Sequence, residues 1–323
     1  MGAIYGAGRY TYELVKDWAK LPEDVSFVDV GGLSIDSEDR LYVLNRGSRP
    51  VMVFDREGNL LSSWGKEFFD RPHGSYLSPD GFIYCTDDGN HTVSKFTLDG
   101  KLLMTIGNKD QPSDTGYINK GDMDESLATI KRSAEPFNRP TGVVLSSSGE
   151  IYITDGYGNA RVHKFTADGT LLFSWGEPGT GPGQFQVPHS IYIDKEKRVW
   201  VCDRENSRIQ IFDLDGKFIE QWADIGGKPC GIFFDKDEVL YIPIKSGDKP
   251  HGVSIFTKDG KLITRWGSQG SPDEINEDDD YLFVTPHAIA VDSHGDIYVG
   301  EIRHTMAKVD RGSRALQKFV RKA

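Results

Sequence analysis

Along the chain, apolar and polar residues alternate in short runs, and nowhere do they settle into the 3.6-residue spacing of an amphipathic helix. The clearest unit runs from Asn138 to Glu177, "NRPTGVVLSSSGEIYITDGYGNARVHKFTADGTLLFSWGE". It contains four β-patterned runs, "GVVLS", "EIYITD", "RVHKFT" and "TLLFSW", separated by Ser-Gly, Gly-Tyr-Gly-Asn and Ala-Asp-Gly turn signals. The same grammar returns in "NRGSRPVMVFDREGNLLSSWG", "DDGNHTVSKFTLDGKLLMTIG" and "DRENSRIQIFDLDGKFIEQW". Four strands per unit, at a period of roughly 40–45 residues, is the pattern of a β-propeller blade.

Aligned on their first strands, the units give six rows: "VGGLSID", "PHGSYLS", "PTGVVLS", "PHSIYID", "PCGIFFD" and "PHAIAVD". The second column holds Gly31, His73, Thr141, His189, Cys230 and His287, with separations of 42, 68, 48, 41 and 57 by subtraction. The rows predict an all-β fold, a single six-bladed β-propeller domain over residues 1–323. Two inter-blade connections are enlarged, at about 108–137 and 268–284. Both "YTYELVKDW" and "ALQKFV" fit as outer strands of the last blade.

The first strand of each propeller blade lines the central channel, and the histidines fall in rows two, four and six. With six blades about 60° apart, alternate blades stand about 120° apart, so three imidazoles at one height converge on the axis. Three histidines with an open fourth position is the ligand set of a catalytic divalent site, with zinc as the first choice. Iron, nickel and copper also suit imidazole. The bland alternative makes each histidine a polar residue beside a channel. The remaining five, His91, His163, His251, His294 and His304, share no register, and most are expected to face solvent.

Residues just after the second strands share a face with that column. They include Arg46, Asp88, Tyr157, Arg204 and Lys245, preceded by Asn45, Asp87, Asp155 and Asp203, with Glu301 in the last blade. The acidic positions are expected mainly to cap their own turns. Arg46 and Arg204 near a metal centre need a carboxylate partner to offset desolvation. A tyrosine beside a cation yields its proton more readily, which makes Tyr157 a candidate base. Arg161 and Arg208 belong to the "NARVH" and "NSRIQ" turns and are expected to be structural. In the first long connection, "MDESLATIKR" has helix-compatible residues after an acidic start, favouring an ordered lid over padding.

A net charge of -11 disfavours a nucleic-acid or anionic-membrane partner. Cys85, Cys202 and Cys230 match no zinc or redox spacing and are expected to be reduced. No apolar leader or bilayer-length run occurs. The opening "MGAIYGAG" lacks the Ser or Thr that myristoylation requires at position six, where Gly6 stands. A cytoplasmic location is expected.

The repeats match the NHL type of blade. The ordered strings "NRG", "RPHG", "DGYGNARV", "VPHSIYI", "CDRENSRIQIF" and "TPHAIAV" resemble the peptidyl-α-hydroxyglycine α-amidating lyases, from Val28 to Val299. The resemblance implies a six-bladed propeller with an axial zinc on His73, His189 and His287. It implies Tyr157 as the catalytic base, with Arg46 and Arg204 binding the substrate carboxylate and stabilising charge. The reaction implied cleaves an N-acyl-α-hydroxyglycine to an amide and glyoxylate. Family members often carry an Asp after the third histidine for a structural calcium; Ala288 stands here, which speaks against calcium. Gly158 replaces a cysteine of the secreted members, and neither a secretion signal nor a hydroxylating domain is found. A bacterial-style cytoplasmic relative acting on a small carboxylate-bearing α-hydroxy amide is the expectation. A metal-dependent hydrolase or lactonase on the same face, and a non-enzymatic binding ring, are the alternatives.

Overall fold

The computed structural model describes residues 3–245, 251–268, 282–308 and 312–322. Its strands form six antiparallel sheets of four or five strands, which makes the fold a six-bladed β-propeller. The chain divides into two compact units, Phe69–Pro229 in one and Met1–Phe68 with Cys230–Ala323 in the other.

The first of these units holds blades two to four. Blade three shows why the sequence folds this way. Its strands are Pro140–Leu145, Ile151–Asp155, Arg161–Phe165 and Leu171–Trp175. Ile151–Asp155 is buried at every position because it has a strand on each side and a packed layer on each face. Leu171–Trp175 is an edge, and Leu172 stays exposed there. The hairpin joining the last two strands turns at Gly169, whose φ of 85° suits glycine and few other residues. Tyr84, Val93, Phe137, Ile153 and Phe165 share one core cluster, and Val144, Val162, Phe185, Val199 and Phe212 share another. Full burial of each such side chain contributes about 1.5–3 kcal/mol.

A register shift recurs at the mouth of the blades. In blade four, Pro188 pairs with Asp203 and Ser190 with Cys202, so His189 is the extra residue of a β-bulge. Thr141 is extra in blade three, between Pro140–Asp155 and Gly142–Thr154. In blade two the shift spans His73 and Gly74. Proline supplies no N–H to the ladder, so it is tolerated at the start of a strand or at a bulge, and a bulge re-aims the residue it inserts. The Pro-His pairs in the sequence therefore have a backbone cause.

The other unit holds blades one, five and six. The bulge recurs at Gly31 in blade one and at His287 in blade six. In blade five the stretch Phe233–Phe234 pairs with Tyr241 and Leu240, and further along Pro243, which has no N–H to offer, accepts at its carbonyl from the Cys230 amide at 2.9 Å. Blade six takes strands from both expected segments: Leu316–Arg321 and Tyr10–Val15 pair antiparallel, with Ile4–Ala7 beyond them. Trp18, Phe27, Phe54 and Tyr298 share one core cluster of this unit, and Tyr12, Tyr241, Trp266 and Phe319 share another. Most of the long connection at 268–284 lies outside the described residues.

Candidate functional site

Within the Phe69–Pro229 unit, four of the sequence-predicted site residues meet. The Nδ1–H of His73 donates to the Thr141 carbonyl at 2.7 Å, which places the lone pair of the neutral ring on Nε2. That Nε2 lies 3.1 Å from the Tyr157 hydroxyl oxygen, and His189 Nε2 lies 3.0 Å from the same oxygen. The two imidazoles are edge to face with centroids 4.7 Å apart. Arg204 donates from Nη1 to the Tyr157 oxygen at 3.1 Å and from Nε to Glu205 at 2.8 Å. His73, His189, Tyr157 and Arg204 are all buried. One phenol oxygen thus faces two imidazole nitrogens and a guanidinium.

Tyr157 is held there by the turn Asp155 to Asn159. A Cβ on Gly156 would stand 2.2 Å from the Pro188 carbonyl, and one on Gly158 would stand 2.1 Å from Asn138 Oδ1. Neither position takes a larger side chain without a shift, so the glycine in place of a cysteine at 158 follows from the packing of this chain. Asn159 ties the turn to Asp155 and to the Ala134 carbonyl.

The first long connection packs on this turn and carries the short helix Met123–Leu127, capped by Asp122. Thr115 donates to the Gly158 carbonyl at 2.6 Å, and Asn138 donates to the Ser113 carbonyl. The expected helical stretch is present, shortened to five residues.

The remaining two predicted residues lie in the other unit. His287 is buried, and its Nδ1 donates to the Gly31 carbonyl at 2.9 Å, the same neighbour-carbonyl contact that His73 makes. The Arg46 side chain, 7% exposed, stands beside Asp29, with Nη1 3.7 Å from Oδ2.

Two expectations need correction. Most of the five remaining histidines are expected to face solvent, but His163 and His251 are buried. His163 bonds Ser174 and Asp155, and His251 Nε2 donates to the Phe283 carbonyl. Their apolar neighbours in strand give no sign of this because a satisfied buried histidine looks like any half-polar strand residue. The acidic column does more than cap its own turns. Asp87 accepts from Gly89 and Asn90 in its own turn but also from the amides of Asp70 and Arg71, and Asp155 and Asp203 accept from Asn138 and Gln186. These carboxylates fix the segments that lead into the first strands. Burial pushes both Asp87 and Asp203 above the usual carboxylate range. Cys85, Cys202 and Cys230 are buried thiols that form no disulfide with one another.

Sequence reasoning passed over Arg71 and Arg139. Their guanidinium carbons lie 5.8 and 5.0 Å from the Tyr157 ring centroid, and Arg204 lies at 5.0 Å. The signal was present: each is the residue before proline in "RPHG" and "RPTG", two places ahead of the aligned column.

The comparisons bear on the fold and on kinship. A family model described as "6-bladed beta-propeller" matches residues 139–230. NHL repeat-containing protein 3 of Homo sapiens is 30% identical over 325 residues, covering 96% of this chain and 84% of the relative. Peptidyl-alpha-hydroxyglycine alpha-amidating lyase 1 of Drosophila melanogaster is 27% identical over 76% of this chain, and the match spans 45% of that lyase. Among solved structures, a gluconolactonase from Xanthomonas campestris superposes with a TM-score of 0.65 at 13% identity, over 99% of this chain and 95% of its own. That likeness is one of fold. No helix among the described residues is long and apolar enough to cross a membrane. With a human relative 30% identical over most of both chains, the chain belongs to the NHL repeat-containing protein 3 family of six-bladed β-propellers.

Proposed function

We propose that the protein is a metal-dependent carbon–nitrogen lyase that cleaves a small N-acyl-α-hydroxyglycine-like substrate to an amide and glyoxylate. The observation that carries this reading is the Tyr157 oxygen, set between His73 Nε2 and His189 Nε2 under the Arg204 guanidinium. The likeness to the Drosophila lyase supports it independently.

The donor set suits a divalent transition metal, zinc first. His73, His189 and His287 are buried and each offers one ring nitrogen. In His73 and His287 the Nδ1–H donates to a backbone carbonyl, the outer hydrogen bond that leaves Nε2 as the ligating atom. These three histidines would hold the metal, and the metal when bound supplies Lewis acidity to the substrate hydroxyl. Tyr157 takes the hydroxyl proton. The C–N electron pair leaves with the amide nitrogen, which takes up a proton, and the former carbinol carbon becomes the aldehyde of glyoxylate. Arg204, with Arg46, binds the carboxylate that orients the hydroxyl.

The test is metal content per chain in protein purified without chelator, followed by glyoxylate release from N-acetyl-α-hydroxyglycine. About one divalent ion per chain together with glyoxylate release is the expected result. No glyoxylate from metal-loaded protein overturns the lyase reading, and no metal overturns the site.

A further inference from the structure

Arg71 and Arg139 have no part in the chemistry above, yet they are organised as a pair. Arg71 Nη1 and Arg139 Nη2 both donate to Asp88 Oδ2, at 2.9 and 3.2 Å, so two cations share one buried carboxylate oxygen. Arg139 Nη1 also donates to the Tyr117 hydroxyl at 2.9 Å, from the long connection that covers the Tyr157 turn. Burial works against the charge of Arg139, but Asp88, Tyr117 and Tyr157 outweigh it and hold the guanidinium above its ordinary value. The side chains keep 27% and 16% exposure, so neither cation is sealed off. The left-handed backbone of Arg139, φ 71°, recurs at Val187 in the same place of the next blade, φ 61°. Blades three and four therefore share this loop shape, and Val187 stands in blade four where blade three has a guanidinium.

At this pair two guanidiniums, Arg71 and Arg139, share a single carboxylate oxygen of Asp88. Asp87 and Asp155 nearby are turned to backbone amides. The α-carboxylate of the substrate falls to Arg204 and Arg46, which leaves the Arg71–Arg139 pair for a second anion. Guanidinium forks match planar anions, and two of them on a shared anchor present fixed donors with little further ordering.

We propose that Arg71 and Arg139, positioned by Asp88 and Tyr117, form a second anion-recognition position that selects substrates carrying another carboxylate beyond the α-carboxylate. The substrate class is then a dianionic N-acyl-α-hydroxyglycine with a carboxylate on its acyl portion. This rests on the lyase reading for the nature of the substrate, and on the geometry alone for the second charge.

The experiment is calorimetric titration with two unreactive analogues, N-acetylglycine and N-succinylglycine, which differ by the far carboxylate. Wild type should bind N-succinylglycine about 10-fold more tightly, the scale of one charge-assisted contact. Arg71→Gln and Arg139→Gln should each bring that ratio towards one while N-acetylglycine binding stays within about two-fold. Arg139→Lys should retain part of the ratio, because charge survives but the fork does not. Tyr117→Phe, which removes only a hydroxyl, should lower the ratio with an unchanged melting temperature. Equal binding of the two analogues to wild type, binding of neither, or a ratio that persists in both Gln variants overturns the proposal. A ratio that behaves as expected in a protein that releases no glyoxylate from either hydroxylated analogue sinks the lyase reading and leaves the anion position standing.

Discussion

His73 donates from Nδ1 to the backbone carbonyl of Thr141 at 2.7 Å, so a side chain of one blade is fixed by the main chain of the next. No substitution at Thr141 removes that acceptor. The ring orientation is consequently a property of how blades two and three pack. His73→Ala should lower divalent metal content from about one ion per chain to a small fraction, as loss of one of three protein ligands does. Metal analysis after gel filtration checks this, and full occupancy in the variant would remove His73 from the site.

Tyr157→Phe keeps the ring and its cation contacts and deletes the oxygen. Turnover of an α-hydroxyglycine should fall by about 100-fold or more, the usual contribution of a general base, with metal content unchanged. A hydrolase using metal-bound hydroxide would retain most of its activity, so this one variant separates the two chemistries.

Arg204→Gln should raise KM for the carboxylate substrate by about 10-fold or more and leave a neutral amide analogue nearly unaffected. Equal losses on both would make Arg204 a partner of Tyr157 and Glu205 only. Arg46→Gln gives the parallel comparison for the other assigned arginine.

Gly74→Ala adds one methyl with no backbone penalty from positive φ. Its Cβ would nevertheless stand 2.4 Å from the Thr141 carbonyl oxygen, the very acceptor of the His73 bond. Destabilisation of about 1–3 kcal/mol is expected in denaturant melts, with weakened metal binding beside it. A melt unchanged within error would mean that blades two and three have slack at this contact.

Asp194 lies below the usual carboxylate range. Burial alone would raise it, but the Arg198 amide, the Trp200 indole N–H and the Arg198 guanidinium outweigh burial. Its folded value is depressed, so its stabilisation is present above the ordinary carboxylate value near 3.9 and is lost as pH falls through the folded value. Asp194→Asn should destabilise the protein by about 1–2 kcal/mol at neutral pH. The gap from wild type should narrow as pH drops below 4. A gap that stays constant with pH would mean the carboxylate contributes shape and not charge.

Much of this was readable in the sequence because a propeller writes its geometry into a short period. Tyr157, Arg204, His73 and His189 could be grouped by position within the repeat, and they do meet, since equal places in equal blades meet the same environment. Tyr10–Val15 and Leu316–Arg321 were legible as blade six for the same reason: each supplied a strand that the last row lacked. Arg71 and Arg139 were not found because they stand in the loops ahead of the aligned rows, and what joins them is a shared carboxylate, Asp88, that Arg139 reaches from the following blade. His163 was missed for a different cause. Its burial depends on Phe137 and Asp155, contributed by a loop and a neighbouring strand, and neither is visible in the local pattern.

The pairing that completes blade six has a consequence for how the molecule is made. Tyr12 is registered opposite Arg321, so one strand must wait for another 309 positions later, by subtraction. Contacts of such long separation carry a heavy closure entropy and form late. During synthesis the strand Tyr10–Val15 can pair at once with Ile4–Ala7, but its other edge stays a ready template for strange strands until Leu316–Arg321 emerges. Tyr12, wholly buried once the sheet is complete, lacks its partner strand throughout that interval.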